Sequence, residues 1–88
     1  MSYDYAAERY KVLTPEGQKQ MFSIRRRMEE MIEYSGVVTL GKATSNEVGD
    51  SWTMMACVDY LVEMGEFVEV GLTGHYAGQD RIFRNQEE

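Results

Sequence analysis

Eighty-eight residues, 43% hydrophobic and 27% charged, with a net charge of −6 at pH 7, suit one small soluble globular domain and exclude a disordered chain. No apolar run approaches the ~20 residues of a membrane span, and the start MSYDYAAERYKVL, with Asp4 and Glu8 among its tyrosines, is unlike a signal peptide. Cys57 is the only cysteine, so an internal disulfide is excluded, which fits a reducing cytoplasm and equally a partly buried thiol in any compartment.

Residues 2–12 read as a short helix. Ser2 is the expected N-cap, and Tyr3, Ala6 or Ala7, and Tyr10 share one face. A strand with Tyr3 and Tyr5 alternating is the competing reading. In both, residues 1–13 form an arm that packs on the rest. The next helix is marked by Thr14 as N-cap, Pro15 at the first helical position and Glu16 beside the positive end of the dipole. Met21, Ile24, Met28, Met31 and Ile32 recur at helical spacing, with Phe22 at the edge of the stripe, and Gly36 stops it.

VVTL (37–40) reads as a short strand, and GKATSNEVG leaves room for two helical turns starting near Gly41. Gly49 turns the chain. Ser51 is the expected cap of a further helix running to about Met64, with Gly65 beyond it. EFVEVG and DRIFR read as two strands of a hairpin around the glycine-bearing LTGHYAGQ, and NQEE (85–88) as a frayed tail.

Helix, short strand, short helix, turn, helix and β-hairpin, carried by VVTLGKATSNEVGDSWTMMACVDYLVEMGEFVEV, resemble the winged helix-turn-helix superfamily. The resemblance spans residues 14–84 and implies an α+β fold of three main helices with a C-terminal hairpin wing, 66–84. It also implies that the helix from Ser51 is the recognition helix.

Helical spacing sends Met54, Cys57, Val58, Leu61 and Val62 of that helix inward, with Phe67 or Val68 closing the core. Cys57 then reads as a small buried hydrophobe. Trp52, Met55, Ala56, Asp59 and Glu63 are left facing outward, with Tyr60 at the boundary, and Trp52 can instead fold back into the core. Major-groove readout wants Arg, Lys, Asn or Gln, and the helix has none. Aromatic and Met side chains beside carboxylates suit a protein interface better.

The charge map points the same way. Residues 1–27 hold six basic and three acidic side chains, a balance of +3; residues 28–88 hold three basic and twelve acidic, a balance of −9. Phosphate neutralisation by Lys and Arg carries nucleic-acid affinity. The cations offered for a nucleic-acid or other anionic contact are Arg25, Arg26, Arg27 and, at the wing, Arg81. The run 25–27 is also explained by pairing with Glu29 and Glu30 one turn on. His75 and Tyr76 at the wing complete the expected partner-binding set of Trp52, Met55, Asp59, Tyr60 and Glu63.

No metal site is expected, since His75 is the only histidine, and no cofactor motif occurs: GKAT lacks the upstream glycines of a phosphate loop. Cys57 inward on a helix and His75 in a loop make no nucleophile–base pair, so an enzyme is not expected. Two functions stand. One is a protein-binding module, in general character like small acidic phage or mobile-element accessory proteins that inhibit host machinery, anti-CRISPR proteins among them. The other is a winged-helix DNA-binding transcriptional regulator. A homodimer is compatible with either.

Overall fold

The computed structural model describes residues 3–70 and 81–86. Within them the chain is mixed α+β: helices α1 (Tyr5–Val12), α2 (Pro15–Ser35), the single turn α3 (Leu40–Ala43) and α4 (Ser51–Glu63), with strands β1 (Val38–Thr39), β2 (Phe67–Val70) and β3 (Ile82–Asn85). The sheet is antiparallel in the order β1-β3-β2. Val38 stands opposite Phe83, and Val70 opposite Ile82, so β3 runs between the other two. Residues 71–80, which carry His75 and Tyr76, lie outside the described residues.

α2 starts and stops where its sequence says. Thr14 Oγ1 accepts from Gly17 N at 3.0 Å, Pro15 opens the first turn, and Gly36 adopts φ 86° while its N–H reaches Ile32 O. Its buried stripe is Met21, Ile24, Met28 and Ile32; Met31 is half-buried and Phe22 is exposed. Gly17 is buried too. A Cβ there would overlap the Lys11 carbonyl and lie 2.8 Å from Val12 Cα, so the absent side chain is what lets α2 begin against the end of α1.

Several boundaries depart from the expectations. The first segment is a helix, as its first reading has it, but it begins at Tyr5 with Asp4, not Ser2, at the N-cap position. The strand expected over 37–40 shortens to two residues, because Thr39 Oγ1 accepts from Lys42 N and caps a turn already started at Leu40. That helix spans one turn rather than two. α4 is capped by Asp50 rather than Ser51: one carboxylate oxygen accepts from Trp52 N and the other from the Thr53 hydroxyl. Aspartate is as good a cap as serine, and here it also meets Lys11 at 3.2 Å.

The core gathers Val12 from α1, the α2 stripe, Val38, Leu40 and Ala43, then Met54, Ala56, Cys57, Val58 and Leu61 of α4, and Phe67 and Phe83 from the sheet. Ala56, expected outward, is fully buried, and Val62, expected inward, is half-buried with Val68. α1 causes the first difference. It packs along α4, its most extensive helix contact, and closes a side of α4 that a helix with one apolar stripe would leave open. Val12 within the core, and Tyr3 and Tyr5 packed against it, therefore tie the described part of the arm to the rest.

Candidate functional site

The outward half of α4 is dressed by its own chain. Asp59 Oδ2 accepts from the Tyr3 hydroxyl at 2.6 Å, and Oδ1 meets Arg81 Nη2 at 2.6 Å. Arg81 also forks onto Glu69 of β2, Nε to Oε2 at 3.0 Å and Nη2 to Oε1 at 2.8 Å, and its guanidinium lies 5.2 Å from the Phe83 ring centre. Tyr3, Asp59, Arg81 and Glu69 thus form a continuous chain of contacts from the arm across α4 to the hairpin. One turn further, Glu63 Oε1 accepts from the Tyr5 hydroxyl and from Arg9 Nε at 2.9 Å. Arg9 lies 5.5 Å from the centre of the Tyr60 ring, and Tyr3 meets Trp52 edge-on at 6.4 Å between ring centres.

The electrostatics follow from these partners. Burial, with the Asp59 carboxylate it donates to, raises the Tyr3 hydroxyl well above the usual phenol value; burial and Glu63 do the same to Tyr5. Arg9 and Tyr5, both donating to Glu63, hold it below the usual carboxylate range. Arg81 is held protonated by Glu69 and Asp59.

Trp52, Met55, Asp59 and Tyr60 are half-buried, and Glu63 is exposed. These five expected partner-binding residues share one face of α4, joined there by Tyr3, Tyr5 and Arg9, which sequence reasoning assigned only to packing. Two signals pointed to them. Tyr5 and Arg9 are four residues apart and so share a helix face, and their hydrogen-bond donors complement the carboxylates of α4.

The proposed anion-contact arginines separate. Arg81 is consumed by Asp59 and Glu69. Arg25 pairs with Glu29, as spacing suggests, and also with Glu66, each at 3.3 Å; Arg26 pairs with Glu30 at 3.6 Å. Arg27, expected on Glu30, instead donates from Nε to Lys42 O at 3.0 Å and from Nη2 to Ser45 Oγ at 3.1 Å. Five of the nine cations, Arg9, Lys11, Arg25, Arg26 and Arg81, are in ion pairs with described carboxylates.

Cys57 is fully buried, with Sγ 3.8 Å from Gly17 O, and burial followed by the Glu47 charge pushes its thiol up to about 12. It is held as a neutral thiol, unsuited to attack a substrate. Among the described residues no three His, Cys, Asp or Glu side chains gather as metal ligands, and no helix is long and apolar enough to cross a membrane. No protein-family model, no characterised protein and no solved structure matches this chain.

Proposed function

We propose that the protein is a non-catalytic protein-binding module on a small winged-helix scaffold, and that its partner seats on the α1/α4 face. The observation that carries this is the make-up of that face. Tyr3, Tyr5, Trp52, Met55 and Tyr60 are all half-buried there, and its cations Arg9 and Arg81 are already paired with Glu63 and Asp59. Tyr, Trp and Met are the side chains enriched at protein interfaces. Side chains locked by neighbours also lose less entropy when a partner arrives. The winged-helix reading is supported by the order α2, β1, α3, α4, β2, β3 and by the pairing of β1 with the hairpin through β3.

A net charge of −6 favours a partner with a cationic surface. Nucleic-acid-binding machinery offers such surfaces, and small acidic phage-type inhibitors of the anti-CRISPR kind would act on it in this way. This last step is an analogy of general character.

The regulator reading draws on the same order of elements, since most of its weight comes from the fold. Against it stand the cations: α4 has none, and those beside it are neutralised in cis. Two measurements separate the readings. Met55→Ala and Tyr60→Ala should each weaken capture of the partner from nuclease-treated lysate while leaving the circular dichroism spectrum unchanged. Duplex DNA should give no low-salt mobility shift; a shift with steep salt dependence would instead establish the regulator.

A further inference from the structure

A different face, lined by no residue of α1 or α4, carries a second site. Between α2 and the turn α3 lies a surface cavity of about 520 Å³ lined by Arg27, Thr39, Gly41, Lys42 and Ser45. We propose that it binds the phosphoryl group of a small ligand, with Arg27 and Lys42 as its charge partners.

The argument starts from how Arg27 differs from the other arginines of its run. Arg25 and Arg26 meet glutamates, so their charge is already answered. Arg27 is held just as firmly, but by neutral acceptors: the Lys42 carbonyl and the Ser45 hydroxyl. Among the described residues it forms no ion pair, and neither does Lys42, whose side chain is exposed at the same cavity. Two bonds fix the plane of the guanidinium while the rest of its N–H groups remain for a ligand.

The hydroxyls complete the donor set. Ser45 Oγ donates to Lys42 O at 3.1 Å and accepts from Arg27, so it braces the arginine. Thr39 Oγ1 accepts from Lys42 N at 3.2 Å, which leaves its proton available to an incoming oxygen. Two cations and a hydroxyl donor, with no carboxylate among the described residues that line the cavity, suit a compact dianion and repel a cation. The neighbouring groove, on the same face of α2 but nearer its start, about 400 Å³, shows the contrast: its lining includes Glu16 and Glu47, and Glu47 is already held by Ser23 at 2.7 Å and by Gln20 at 3.3 Å.

The test is a titration of the isotope-labelled protein, at constant ionic strength, with inorganic phosphate and separately with a nucleoside monophosphate, followed by NMR. The expected result is saturable shifts confined to amides of residues 39–45 and the Arg27 side chain. Arg27→Gln should weaken binding about tenfold or more, the loss expected for charge-assisted hydrogen bonds. Arg26→Gln, which removes an exposed cation one residue away, should stay within about twofold. Lys42→Gln, on an exposed side chain, should weaken binding without disturbing the fold, and so tests the site even if Arg27→Gln loosens α3. Tighter binding of the nucleotide than of phosphate supports a larger phosphorylated ligand; equal binding supports free phosphate. Linear, dispersed shifts, or equal losses from Arg26→Gln and Arg27→Gln, would overturn the site in favour of diffuse charge. Tight binding of duplex DNA that depends on Arg27 would overturn the small-ligand reading in favour of a nucleic-acid contact. The site does not use the α1/α4 face, so either proposal can fail without the other.

Discussion

On the α1/α4 face the two carboxylates of α4, Asp59 and Glu63, each have two donors from distant parts of the chain, and the arginines that supply them are spent there. On the α2/α3 face, Arg27 is fixed by a carbonyl and a hydroxyl, and Lys42 stands beside it. Both faces are charged, but among the described residues the first answers its arginines with carboxylates and the second does not. Sequence counts of acids and bases do not distinguish these cases; what separates them is whether the partner that fixes a charged group also neutralises it.

Three measurements bear on that contrast. The largest effect is expected at Gly17. Gly17→Ala forces a methyl group into the Lys11 carbonyl and Val12 Cα, so α1 must shift off α2 and with it off α4. A loss of about 3 kcal/mol in denaturant unfolding is expected, the upper part of the range for overpacking, because backbone yields less than a side chain. A loss near zero would mean that α1 is not docked as described.

Next, Arg81→Met keeps the packing over Phe83 and removes the charge. It strands Asp59, whose side chain is only 16% exposed, on the single Tyr3 bond. A loss of about 2 kcal/mol is expected, between that for breaking an exposed pair and a fully buried one. The phosphate site should be unaffected; a parallel loss there would mean that the two faces are not independent.

The smallest effect belongs to Tyr3→Phe, about 1 kcal/mol at neutral pH for one hydrogen bond. Its signature is in the pH dependence. Tyr3 and Tyr5 are raised above their ordinary value of 10.0, chiefly by burial, and Cys57 is raised from 9.0 to about 12. The folded protein keeps these protons where the unfolded chain releases them. Their contribution is therefore complete below about pH 9 and is lost as pH rises through the folded values. Tyr3→Phe should make the fall above pH 10 shallower. An unchanged slope would remove the Tyr3–Asp59 bond from the account. On the acid side the sign reverses. Glu63 and Asp50 are depressed by their donors, so their contribution is present above the ordinary carboxylate values and lost as pH falls through the lowered ones.

Much of the fold was legible because it is locally encoded. Thr14, Pro15 and Gly36 mark α2 through bonds to residues three or four places away, and the apolar spacing of α2 depends on nothing beyond its own turns. The same holds for Cys57, Val58 and Leu61. What was not legible came from tertiary docking. Ala56 looks like a surface residue until α1 lies against α4, and no pattern within 51–63 encodes that neighbour. The α4 members of the candidate set share one face, which helical spacing alone gives, but the donors to its carboxylates come from 54 to 58 residues upstream and 22 downstream. The Arg27 pairing failed for a similar reason. Glu30 was in reach by helical spacing, but the turn at Leu40 brings a carbonyl and a hydroxyl to the guanidinium instead.

The Asp59 cluster also has a consequence for the order of assembly. α2 can form with bonds to its own neighbours, whereas the cluster requires residue 3 to close a loop of 56 residues and Arg81 to close one of 22. Loop closure costs conformational entropy that only the finished contacts return. During folding α4 is therefore a bare helix with two solvated carboxylates before it is a dressed one, and its face acquires its final chemistry last. In refolding experiments, Arg81→Met should accordingly speed unfolding far more than it slows folding.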